Sequence, residues 1–195
     1  MINKLHNRLK YQLWAFNWIR KLHRIVHGRE YKSDFEAIPG MTTLEERNYY
    51  YKISRELKGK GQIVDLGCWM GSTTIPMLKG LSENQNALKN GVRVHAFDTF
   101  IWDEYMERDF PRLSNKLSLK LGDDFAEQFN LLTKEYTSIL SVHKGDLNNY
   151  SWQSDDIELL LIDAMKSENL TISIAKSFFP SVLEILFIIK PSSNT

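Results

Sequence analysis

The sequence predicts an α/β fold built on a mostly parallel, doubly wound sheet, and three observations carry that prediction. Short apolar runs alternate with helical stretches along the chain. The run Ile63-Val64-Asp65-Leu66 passes through Gly67 and Gly71 into Ser72-Thr73-Thr74, which reads as strand, tight turn and helix start. Two later apolar runs end in Asp98 and Asp163, at the edge where open parallel sheets bind ligands.

The elements follow in order. Residues 3–27 carry Leu5, Leu9, Leu13, Phe16, Ile19, Leu22 and Val26 at spacings of three or four, the pattern of an amphipathic helix. Residues 28–41 read as a loop ending at Pro39-Gly40. Thr43 and Glu46 have the spacing of a capping box, opening a helix that runs through Leu57 and stops near Gly59 or Gly61. The strand at 63–66 and its turn come next, with Ser72 and Thr73 placed to cap the following helix. Ser82 to Gly91 is polar, and Val92 to Phe97 is the second strand. A long connection, 99–121, leads to a helix over about 123–136 and a strand over 138–143, followed by Gly145-Asp146. Ile157 to Ile162 is a strongly apolar strand, residues 170–178 a helix stopped by Pro180, and Leu183 to Ile189 the last strand.

Composition bounds the function. At 195 residues and 43% hydrophobic, the chain suits one globular domain with an appendage. The single cysteine, Cys68, rules out an internal disulfide and fits a reducing cytosol, so a cytoplasmic location is expected. No apolar run reaches the ~20 residues that span a bilayer, and no secretory signal is visible. The net charge of +1 hides an asymmetry: residues 1–29 hold seven Lys or Arg and no acid, leaving 18 basic against 24 acidic residues beyond them. The expected division is therefore a basic amphipathic helix and loop over 1–40 and a catalytic domain over 41–195. Residues 3–27 could pack on that domain or on a second copy, or lie on an anionic membrane surface. Nucleic acid is not expected as a partner, because no recognised binding module accompanies the basic residues.

Several residues carry chemistry. A carboxylate at Asp98 can accept both ribose hydroxyls of a nucleoside cofactor through paired hydrogen bonds. It lies 31 residues beyond Gly67, where about 20 is usual, so the intervening segment holds an insertion. Phe100 and Trp102 either cover an adenosine face or pack beneath the long connection. No Cys/His cluster has metal-ligand spacing, and neither a Ser-His-Asp signature nor a phosphate-binding P-loop is present.

Asp65-x-Gly67-x-x-x-Gly71-Ser72-Thr73 resembles motif I of the class I S-adenosylmethionine-dependent methyltransferases, with Trp69 in place of the middle glycine. That variant is similar to the branch of small O-methyltransferases related to macrocin-type sugar methyltransferases. The resemblance covers about residues 41–180 and implies a Rossmann-like sheet. It implies S-adenosylmethionine bound by Asp65, Gly67, Cys68, Trp69, Gly71, Ser72, Thr73, Asp98, Phe100 and Asp146, the last lying near the adenine. Leu159 to Ser167 contains Asp163-Ala164-Met165-Lys166, which resembles the Asp-x-x-Lys of catechol and caffeoyl-coenzyme A O-methyltransferases. On that likeness Asp163 holds Mg²⁺ and Lys166 is the general base. The metal-dependent relatives close the next strand with a further acidic or amide pair. Here that strand runs into Lys190-Pro191-Ser192-Ser193-Asn194-Thr195 with no carboxylate. The family fold continues with two more strands and a helix, so the chain is expected to be C-terminally truncated.

The expected activity is methyl transfer from S-adenosylmethionine to a hydroxyl of a small molecule or sugar. Two alternatives stay open: a domain that binds the cofactor without catalysing transfer, and a nucleotide-cofactor oxidoreductase. Trp69 weighs against the latter, since a pyrophosphate needs close backbone approach at the glycine it replaces.

Overall fold

The computed structural model describes residues 33–164, 167–183 and 187–189. The expected helix over 3–27 and Lys166 lie outside the described residues. All described residues fall in one compact unit, Ser33–Thr195.

The order of elements is α1 (Leu44–Glu56), β1 (Gln62–Leu66), α2 (Thr74–Ser82), α3 (Gln85–Lys89), β2 (Val94–Asp98), α4 (Glu104–Asp109), α5 (Pro111–Leu117), α6 (Ala126–Thr133), β3 (Leu140–Lys144), β4 (Ile157–Ile162), α7 (Glu168–Phe178) and β5 (Phe187–Ile189). The strands form one sheet in the order β3-β2-β1-β4-β5, every pairing parallel. The chain crosses from β3 at one edge to β4 on the other side of β1, which sets the topological switch point beside β1.

Alternation along the strands sorts the core into two layers. Ile63, Val94, Ala96, Leu159 and Leu161 face one side, packed by Tyr50 of α1, Met77, Leu78 and Leu81 of α2 and Phe129 of α6. Val64, Leu66, Phe97, Leu160 and Ile162 face the other, packed by Ile174 and Phe178 of α7. Helices thus cover both faces, as a doubly wound Rossmann-like fold requires. Asp65 is fully buried on the first face, with Ile63.

The capping box forms as its spacing predicts. The Glu46 amide donates to Thr43 Oγ1 at 3.2 Å and the Thr43 amide to Glu46 Oε2 at 2.8 Å. The expected strands and helices recur with ends shifted by a few residues. Three short helices form where the sequence predicts irregular chain. Asn84 caps α3 on the Ala87 amide. Asp103 caps α4 on the Met106 amide, and Pro111 opens α5 at its first turn. Thr73 departs from its expected role, because it is the N-cap of α2 without a side-chain capping bond. Its hydroxyl is turned instead to the buried Asp65, donating to Oδ2 at 2.7 Å.

Candidate functional site

The carboxyl ends of β1, β2 and β4 meet at the switch point. There Gly67 and Gly71 turn the chain with φ of 91° and 86°. A Cβ on Gly67 would stand 3.1 Å from the Asp163 carbonyl carbon and 3.3 Å from Ala164 Cβ, so the turn lies directly against the end of β4. Trp69 takes φ 44°, the left-handed region that glycine adopts freely, at a cost of about 1–2 kcal/mol for a residue with a side chain.

That geometry aims the Trp69 amide at Asp98. Asp98 Oδ2 accepts from the Trp69 N–H at 2.9 Å and Oδ1 from the Phe100 N–H at 2.9 Å. One carboxylate therefore ties the β1 turn to the loop after β2. Asp98 is half-buried, so solvent still reaches it. The Trp69 indole stacks on Trp102, centroids 6.2 Å apart, and meets Phe110 at 4.7 Å. Of the two roles open to Phe100 and Trp102, the structure shows packing beneath the connection. Both are fully buried, Phe100 between Phe125 and Phe129 at 5.5 and 5.3 Å.

Asp65 has no exposed surface. Its Oδ2 accepts from Thr73 Oγ1 at 2.7 Å and Thr74 Oγ1 at 2.6 Å, while Oδ1 has no hydrogen-bond partner. Burial pushes its carboxyl up to about 7 against the pull of the two hydroxyls, and the charges of Asp163 and Asp98 push it the same way. Cys68, also buried, has its thiol raised by burial and by Asp98 and Asp65.

Asp163 is half-buried at the end of β4, its amide bonded to the Leu66 carbonyl at 2.8 Å. Among the described residues no group of three or more His, Cys, Asp or Glu could hold a metal ion, and the expected Mg²⁺ at Asp163 finds no support there. Asp146 is exposed after β3 and accepts from the Asn148 amide at 2.9 Å, beside a shallow hollow lined by Phe97, His143 and Tyr150. A larger hollow, lined by Lys60, Asn90, Asp155 and Asp156, lies at the amino edge of the sheet, away from these carboxylates.

Sequence reasoning missed Thr74 and Arg47. Arg47 is 5% exposed, and burial lowers its pKa from the usual value. Its guanidinium donates to Thr42 Oγ1 at 2.9 Å and to the carbonyls of Phe35, Ile38 and Gly40, gathering that loop against the turn. Thr42 Oγ1 in turn donates to the Ser72 carbonyl at 3.3 Å. Because an arginine on an amphipathic helix reads as a solvated charge, nothing in the spacing marks this one.

No protein-family model matches the chain, and no curated protein does. Solved structures do show likeness. The O-methyltransferase NovP is 16% identical over 73% of this chain and 64% of its own, with a TM-score of 0.48. Coclaurine N-methyltransferase bound to N-methylheliamine and SAH is 14% identical over 96% of this chain and 55% of its own, with a TM-score of 0.41. The Trypanosoma brucei PRMT1 enzyme–prozyme complex with AdoHcy is 12% identical over 60% of this chain and 28% of its own, with a TM-score of 0.32. The chain spans less than two thirds of the length of each of these three proteins.

Proposed function

We propose that this chain binds S-adenosylmethionine at the carboxyl edge of its sheet and transfers the methyl group to a hydroxyl of a small molecule or sugar. The observation that carries the reading is the half-exposed Asp98 carboxylate, held by the Trp69 and Phe100 amides at the carboxyl ends of β1 and β2. So oriented, it would accept the two ribose hydroxyls. Gly67 and Gly71 would let the backbone approach the ligand, and Asp146 would lie near the adenine. The bound cofactor supplies a methyl group activated on a sulfonium.

What this chain would add is positioning of the acceptor oxygen in line with that methyl group, with Lys166 taking the hydroxyl proton. No step is routed through Mg²⁺. Residues 41–195 would form the transferase domain, cytoplasmic or membrane-peripheral, with residues 3–27 contacting a second copy or a membrane surface.

Calorimetric titration of the folded chain with S-adenosylhomocysteine and, separately, with NAD⁺ tests the reading. Micromolar binding of the first alone is expected. Preference for NAD⁺ would favour an oxidoreductase, and binding of neither would overturn the proposal.

A further inference from the structure

Asp65 lies beneath the proposed cofactor site and takes no part in the mechanism above. It is fully buried with one oxygen unpartnered, and among the described residues the charges acting on it, Asp163 and Asp98, are both negative. The other described groups facing it are neutral: Thr73 and Thr74 from the start of α2, Cys68 from the turn and Tyr50 from α1. Such a carboxyl is held near neutrality, about 7, where a modest change in local field decides its charge.

Resting on the reading of this edge as an S-adenosylmethionine site, we propose that Asp65 is a buried charge sensor. It carries a proton in the free protein and releases it when a sulfonium cation binds at the strand ends, whereas the uncharged thioether product does not dislodge it. The step balances as one proton leaving the Asp65 carboxyl for solvent for each cation bound, with no other bond made or broken. No direct contact is needed, because a positive charge among these acids acts strongly through a poorly hydrated interior. By linkage, the ionised carboxylate holds the substrate more firmly, and loss of the sulfonium on methyl transfer returns the proton and weakens the hold on product.

The test is calorimetry of the full chain with S-adenosylmethionine and with S-adenosylhomocysteine, in pairs of buffers of different ionisation enthalpy at pH 6 and pH 8. Nearly one proton released per S-adenosylmethionine is expected at pH 6, clearly fewer for S-adenosylhomocysteine, and little difference at pH 8. Preference for the charged ligand should rise about tenfold between the two pH values. Asp65→Asn should bind both ligands with equal proton counts. Should that variant fail to fold, Asp163→Asn serves, because removing a neighbouring acid should lower the proton count at pH 6. Equal counts for the two ligands in the native chain at pH 6 would overturn the sensor while leaving the cofactor site standing. A difference that persists in Asp65→Asn would do the same. Binding of neither ligand would overturn both.

Discussion

The Trp69 amide donates to Asp98 Oδ2 at 2.9 Å, joining a residue in the turn after β1 to the last residue of β2. A left-handed residue in the turn is what lets that amide point across the strand ends. The large side chain at this position is accommodated because the indole swings onto Trp102 and Phe110, away from the backbone groups that face Asp98.

Trp69→Gly should therefore act in two opposing directions. It relieves the left-handed strain, worth about 1–2 kcal/mol, but it loses two aromatic contacts of about 0.5–1.5 kcal/mol each and the burial of a large apolar surface. Burial dominates, so net destabilisation of about 1–3 kcal/mol is expected. Urea denaturation measures it, and a variant more stable than the native chain would contradict the packing role.

Arg47 is a buried cation satisfied by three carbonyls and a hydroxyl. Arg47→Ala leaves those groups without their donor and should cost about 2–4 kcal/mol. Arg47→Lys should recover little of this, since one ammonium cannot reproduce the planar fork. Thermal unfolding of the two variants checks it, and full rescue by lysine would contradict it.

Gly40→Ala should loosen the same loop. The backbone there has φ 155°, and a Cβ would stand 2.2 Å from Ser72 Cβ. The loop must move off the turn, so hydrogen exchange over 35–42 and 67–74 should speed up together. Unchanged exchange in the turn would show that the loop does not support it.

Asp65 makes stability fall as pH rises. Its folded-state carboxyl sits at about 7 against an ordinary 3.8, so the native state holds the proton more tightly than the unfolded chain does. The contribution is complete below pH ~4, is lost as pH rises to about 7, and is flat above, with an upper bound of about 4 kcal/mol. Asp65→Asn removes this dependence and should gain stability relative to the native chain between pH 5 and pH 8. Denaturation at those two pH values measures the gain. An advantage that is the same at both would contradict a protonated Asp65.

Much of this architecture is legible in the residues. Apolar runs bounded by glycine and acid mark four strands, and Thr43 with Glu46 marks the start of α1, because each is a local pattern with a local cause. The connection over 99–121 was less legible. Its two helices are short, and Trp102 and Phe110 take their meaning from contacts far along the chain, such as Trp69. In the site, the glycines and Asp98 could be picked out by position in the motif. The Thr73 and Thr74 hydroxyls on Asp65, and the Arg47 clasp on Ser72's neighbours, could not be, since both arise only when separate elements pack.

Asp98, at the end of β2, is proposed to receive the ribose of S-adenosylmethionine. Calorimetric titration of the native chain and of Asp98→Ala with S-adenosylhomocysteine, each shown to be folded by circular dichroism, tests it most directly. Micromolar binding by the native chain and at least a hundredfold weaker binding by the variant, about 3 kcal/mol, are expected. Equal affinity in the two folded proteins would contradict it.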